Sequence, residues 1–202
     1  MKRLPKLPKI SKCFGCGLCG DVCPKNAISI ELNKNGFLVP KINKNSCVRC
    51  YLCEKKCPSL SSEGIQINNR DEHRFYKAWS KNTALRLKSS SGGVFTQIAF
   101  DFLKNNNSVV IGATIDNEYI VKHVIIESQK DLFKLQGTKY RQSNTSQIYV
   151  NCLAYLKRGY NVLFSGTPCQ VAAMQKYIFD KQYDGTISLV SNKNGRVKNL
   201  IK

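Results

Sequence analysis

The chain has 202 residues, with 32 Lys and Arg against 13 Asp and Glu, a net charge of +19 and ten cysteines. That is enough for one small module and one larger domain, and no apolar run approaches the about 18 residues of a membrane-crossing helix. The basic excess invites a nucleic-acid reading, yet it is lysine-heavy and spread along the chain among abundant Asn. No basic helix, RNA-binding signature or zinc-finger spacing concentrates it, so the nucleic-acid reading is discounted. A nucleic-acid binder with structural clusters stands as the weakest of three hypotheses, and no nucleic-acid partner is expected. The lysines are read as solvated, with some of the charge steering an acidic redox partner or attracting anionic cofactors.

The opening MKRLPKLPKISK is basic with no apolar stretch behind it. No secretory signal is therefore expected, and the protein is placed in a reducing, anaerobic cytoplasm. Next comes Cys13-x-x-Cys16-x-x-Cys19-x-x-x-Cys23-Pro24, which recurs as Cys47-x-x-Cys50-x-x-Cys53-x-x-x-Cys57-Pro58. This spacing holds [4Fe–4S] clusters in bacterial-type ferredoxins. Each iron corner of a cubane takes one thiolate, and two-residue gaps let a tight loop present three of them. In two-cluster ferredoxins the fourth cysteine serves the other cluster. Cys13, Cys16 and Cys19 are therefore expected with Cys57, and Cys47, Cys50 and Cys53 with Cys23. Gly15, Gly17 and Gly20 are expected to keep the first loop small, so that backbone N–H groups approach the sulfides. Structural zinc and disulfides compete for these cysteines. Zinc takes two separated C-x2-C pairs and disulfides need an oxidising compartment, so two [4Fe–4S] clusters are preferred.

Between the runs, Ala27–Leu32 and Phe37–Pro40 alternate around Asn33-Lys34-Asn35-Gly36 and predict a β-hairpin. With few apolar side chains here, the metal is expected to supply much of the stability. A two-cluster ferredoxin-type domain is assigned to residues 1–68, with a polar linker from Ser61 to about Asp71.

From residue 72 the pattern changes to alternating strands and helices. Strands are expected at Phe75–Trp79, Val109–Ala113, Val121–Ile126 and Val162–Phe164. Helices are expected at Val94–Asn105, Ser146–Arg158 (closed by Gly159) and Pro168–Phe179. The fold class is α+β: the small ferredoxin-like domain, then an α/β domain with a mixed sheet over 72–180. Residues 181–202 are read as a polar, unstructured tail.

Two places look built for a ligand. Ser89-Ser90-Ser91-Gly92-Gly93 leads into the helix at Val94, where unpaired N–H groups favour phosphate oxygens. A plain turn with Ser91 as N-cap explains the same residues. In Ser165-Gly166-Thr167-Pro168-Cys169-Gln170, Thr167 caps a helix and Pro168 takes its first position. Cys169 then sits in the first turn, where the dipole favours thiolate; a small buried cysteine is the simpler alternative. Cys152 is assigned to the core, and His73 and His123 to ordinary surface or strand positions.

Leu87–Phe95, then Leu135-Gln136-Gly137-Thr138-Lys139-Tyr140-Arg141-Gln142-Ser143, then Ser165–Gln170, all behind a ferredoxin head, resemble the family of coenzyme F420 hydrogenase/dehydrogenase beta subunits. The resemblance covers roughly residues 10–180. It implies an iron–sulfur flavoprotein oxidoreductase that passes electrons between clusters, a bound FAD and an acceptor. It also implies that Ser90, Ser91, Gly92, Gly93, Thr138 and Lys139 line the flavin, with Lys139 as a charge partner. Cys169 becomes a candidate ligand of a further cluster or a neighbour of the flavin. Family chains continue well beyond the Cys169 helix, so an incomplete domain is expected. The expected partner is a redox protein or a small-molecule acceptor. The rival expectation is a non-enzymatic two-cluster carrier with a docking domain.

Overall fold

Cysteine loops, a hairpin and a five-stranded sheet make up the computed structural model, which describes residues 3–62, 65, 76–179, 181–191 and 196–200. In the head, β1 (Ile28–Leu32) and β2 (Leu38–Ile42) pair antiparallel, with Ile30 opposite Pro40. Asn33 sets the turn: its Oδ1 accepts from the N–H groups of Asn35 at 2.9 Å and Phe37 at 3.0 Å, and Gly36 takes the positive φ of 77°. Each cysteine run forms one short helix over its third cysteine, α1 (Leu18–Asp21) and α2 (Leu52–Lys55). Residues 3–6 lie against the second loop. Arg3 grips the Glu54 carboxylate with two N–H donors at 2.7 and 2.9 Å, and Tyr51 donates to Arg3 O at 2.7 Å. The Arg3 partnership holds the Glu54 carboxyl down at about 2.

The larger domain comprises α3 (Thr83–Leu87), α4 (Val94–Phe102), β3 (Ser108–Ile115), β4 (Val121–Ile126), α5 (Ile148–Lys157), β5 (Asn161–Gly166), α6 (Pro168–Ile178), β6 (Ile187–Ser191) and β7 (Arg196–Leu200). The sheet order is β4-β3-β5-β6-β7. β3, β5 and β6 run parallel, and β4 and β7 are antiparallel edges. β3 is apolar on consecutive residues because both faces are covered. Val109 and Ile111 pack with α5 and α6, while Val110 packs with α4 and the 3-10 segment Gln129–Leu135. Gly159, at φ 78°, ends α5 as expected. Leu18 of the head is 1% exposed and belongs to the same core cluster as Ile148, Tyr149 and Phe164, so head and domain share one interior.

Three expectations are corrected. Tyr76–Trp79 form no strand: Tyr76 and Trp79 are exposed, and the backbone leads to Ser80, whose N–H donates to Gly92 O at 2.7 Å. Phe75 and His73 lie outside the described residues, as does most of the expected linker. The helix from Val94 stops at Phe102 rather than Asn105. The segment expected as an unstructured tail supplies β6 and β7, because Ile187, Leu189 and Val190 are buried against the sheet's two sides.

Candidate electron-transfer site

Crossing the two runs brings one cysteine set together. Cys13, Cys16, Cys19 and Cys57 line a single cavity with Leu7, Pro8, Phe14, Pro40 and Pro58 around them. In the other set, Cys53 senses the charges of Cys23 and Cys50, and Cys23 Sγ accepts from the Ala27 N–H at 3.2 Å. Burial pushes the Cys16 thiol up to about 12 and the Cys53 thiol up to about 11, so loading a cluster must expel protons. Among the described residues no three His, Cys, Asp or Glu side chains converge on one bare metal ion. A cubane needs its thiolates further apart, one at each iron corner.

The two loops sit in opposite surroundings. The first is clamped by residues 142–149 of the larger domain. Gln142 donates to Gly15 O at 3.0 Å and accepts from the Leu38 N–H at 2.7 Å. Tyr149 and Thr145 both donate to Cys16 O, at 2.6 and 2.8 Å. The Asp21 carboxylate accepts from the Gln147 and Tyr149 N–H groups at 2.8 and 3.1 Å, capping α5 from the head. Asp21→Ala strands those donors and is expected to cost about 1–2 kcal/mol. The thermal midpoint of the anaerobic protein, followed by far-UV circular dichroism, checks this. The second loop is outward: Cys50 is exposed, and Val48 and Leu52 are 54% and 39% exposed.

Equivalent loop positions share a backbone conformation but not a residue type. Gly15 and Arg49 have φ of 62° and 56°, and Gly17 and Tyr51 have 77° and 61°. A Cβ on Gly15 would lie 1.7 Å from Gln142 Nε2 and 2.8 Å from Leu38 O, and one on Gly17 would lie 2.5 Å from Thr145 Oγ1. The clamp therefore requires these two glycines.

The expected flavin residues are placed separately. Gly93, at φ 72°, is the N-cap of α4, so Ser91 is not. Cβ atoms on Gly92 and Gly93 would meet Ala78 O at 3.0 Å and Arg86 Cα at 3.2 Å. The bare space at these glycines is thus filled by the protein's own backbone. Ser90, Ser91 and Thr138 are exposed. Lys139 is half-buried and donates to Gln136 O at 2.7 Å, and burial lowers its pKa. Among the described residues no hydrogen bond joins the Ser/Gly turn to Thr138 or Lys139. The Ser/Gly turn and Thr138–Lys139 thus form no shared hydrogen-bonded cradle for a flavin among the described residues.

At the third motif, Thr167 and Gln170 form a capping box on α6, and the buried Gln170 also donates to Ser143 at 2.9 Å. Cys169 Sγ sits 3.1 Å from Thr167 Oγ1 and 3.8 Å from Phe14 O, facing the first cysteine loop. His123, read as an ordinary strand or surface residue, is a buried strand residue that supports this turn. It stacks on Phe164 with its Nε2 2.9 Å from Ser165 O. A carbonyl only accepts, so Nε2 carries the proton, and burial lowers the ring's pKa to about 4. No motif surrounds His123; only the apolar strand could have hinted at its burial.

Residues 12–60 match the model of the 4Fe-4S dicluster domain, and residues 75–149 match coenzyme F420 hydrogenase/dehydrogenase, beta subunit N-term. The chain joins a dicluster head to a beta-subunit N-terminal module. Iron–sulfur electron transfer is thus the function of the dicluster head. The chain is 27% identical to one subunit of the F(420)H(2) dehydrogenase of Methanosarcina mazei, over 84% of this chain and 50% of that one. It is 40% identical to the coenzyme F420-dependent sulfite reductase of Methanocaldococcus jannaschii, over 94% of this chain and 29% of that one. The chain thus spans half the length, or less, of these curated relatives. Among solved structures, the F420-reducing [NiFe] hydrogenase complex of Methanosarcina barkeri aligns with a TM-score of 0.44 and 20% identity, over 63% of this chain and 50% of that chain. Among the described residues of the dicluster head and the beta-subunit module, no helix is long and apolar enough to cross a membrane.

Proposed function

We propose that the chain is the electron-transfer part of an iron–sulfur oxidoreductase. One [4Fe–4S] cluster is held by Cys13, Cys16, Cys19 and Cys57, the other by Cys47, Cys50, Cys53 and Cys23. The observation that carries this reading is the cavity ringed by the first four cysteines, drawn from both runs. Bound clusters supply single-electron steps. The chain's residues line the first site with the apolar side chains of Leu7, Phe14 and Pro40, and hold its loop against the larger domain through Gln142, Thr145 and Tyr149. The assignment of the head to 1–68 and the module to 72–180, and a reducing cytoplasm as the compartment, belong to the same proposal.

The decisive test is anaerobic purification followed by iron, acid-labile sulfide and flavin analysis of one sample. About eight irons per chain support the reading, and about four or fewer sink it. All four corners of the adjacent site are supplied without Cys169, so Cys169→Ser is expected to leave iron at about eight; a loss of iron would make it a ligand. FAD, contacted by Ser90, Ser91, Gly92, Gly93, Thr138 and Lys139, is a finer proposal supported by the beta-subunit match alone. Titration with FAD checks it: stoichiometric uptake favours a flavoenzyme, and no uptake favours a two-cluster carrier.

A further inference from the structure

The two cysteine loops differ most in what surrounds them, and the difference points to a partner. Given two clusters as proposed above, we infer that the second loop is the docking face for an acidic electron-transfer protein. Cys50, Val48 and Leu52 present an exposed apolar spot at the outer site. Exposed Lys44 and Lys55 lie within three residues of its cysteines, and exposed Lys25 follows Cys23-Pro24. No Asp or Glu occurs between Glu31 and Glu54. Those two acids are themselves occupied, Glu31 by Lys41 at 3.2 Å and Glu54 by Arg3 at 2.7 Å. An apolar centre within a basic surround is complementary to an acidic surface carrying its own redox group. At the first loop residues 142–149 hold Gly15 and Cys16, the exposed Phe14 lies beside Cys169 of the larger domain, and none of the three cysteines Cys13, Cys16 and Cys19 is exposed as Cys50 is. A second copy is disfavoured as occupant because both faces carry the same charge.

The step is a single-electron exchange: the reduced partner loses one electron and the outer cluster gains it, with no bond formed and no proton moved. Stopped-flow reduction of the anaerobic, cluster-loaded chain by a reduced acidic two-cluster ferredoxin tests the inference. The wild-type rate is expected to fall steeply as salt rises, and a basic c-type cytochrome, used as oxidant of the reduced chain, is expected to show the opposite trend. K44E/K55E is expected to slow the ferredoxin reaction about tenfold at low salt, with the difference vanishing at high salt. The control K130E/K157E, at exposed lysines of the larger domain, is expected to stay within about twofold of wild type. Equal losses in both variants would mean that net charge alone steers the encounter, and would overturn the inference. So would a wild-type rate insensitive to salt, or a K44E/K55E variant that only loses binding to DNA or anionic vesicles. Iron content separates the two readings: a chain without clusters defeats the proposed function, whereas a loaded chain with no preference for the acidic probe defeats only the docking face.

Discussion

Cys16→Ser combined with Cys57→Ser is expected to retain about four irons per chain, whereas Cys16→Ser combined with Cys23→Ser is expected to lose nearly all. The contrast arises because Cys16 and Cys57 share one cavity although 41 positions separate them in the numbering, while Cys23 sits with Cys50 and Cys53. Two lesions in one site destroy one cluster; one lesion in each site destroys both. If each run instead served its own cluster, the outcomes would be exchanged, since Cys16 and Cys23 share a run. Iron and sulfide counts on the two double variants therefore decide the ligand pairing without a spectroscopic assignment. Each single variant should also lower stability, because the thiolate bonds that staple the head are part of its folding free energy.

Gly15→Ala should be nearly as damaging, for a different reason. An alanine at φ 62° costs roughly 1–2 kcal/mol of backbone strain. Its methyl would also displace Gln142, breaking bonds to Gly15 O and Leu38 N worth about 1 kcal/mol each. A total of about 3–4 kcal/mol follows from those terms. Gly36→Ala is the control: its φ is 77° but its Cβ would meet nothing within 4 Å, so only the backbone strain remains. Denaturation midpoints of the two variants, with limited proteolysis between head and module, measure the excess. Equal midpoints would show that the clamp contributes nothing.

The parts of the molecule that were legible in the sequence are those set by local spacing. The cysteine runs, the Asn33–Gly36 hairpin, the apolar β3 and β5 and the Gly159 stop each depend on residues a few positions apart. The clamp was illegible because its pairs, such as Gln142 with Gly15 and Tyr149 with Cys16, lie more than 120 residues apart. The glycines of the first loop were legible as special but for the wrong neighbour: Arg49 and Tyr51 adopt the same positive φ, so conformation alone does not demand glycine there. The strand at Ile187–Ser191 was missed because its polar surroundings masked three apolar residues that only a neighbouring β5 makes worth burying. Aromatic residues at Tyr76 and Trp79 suggested a strand, yet strand propensity needs a partner edge, and among the described residues no strand pairs with 76–79.

Leu18 has a consequence for how this chain can be rebuilt. Because it fills the same interior as Ile148, Tyr149 and Phe164, the head is not an exchangeable cassette. A graft of another ferredoxin onto the module would leave a hole where Leu18 sits and an uncapped α5 where Asp21 reaches across. The head therefore has to be moved together with the module whose core it completes.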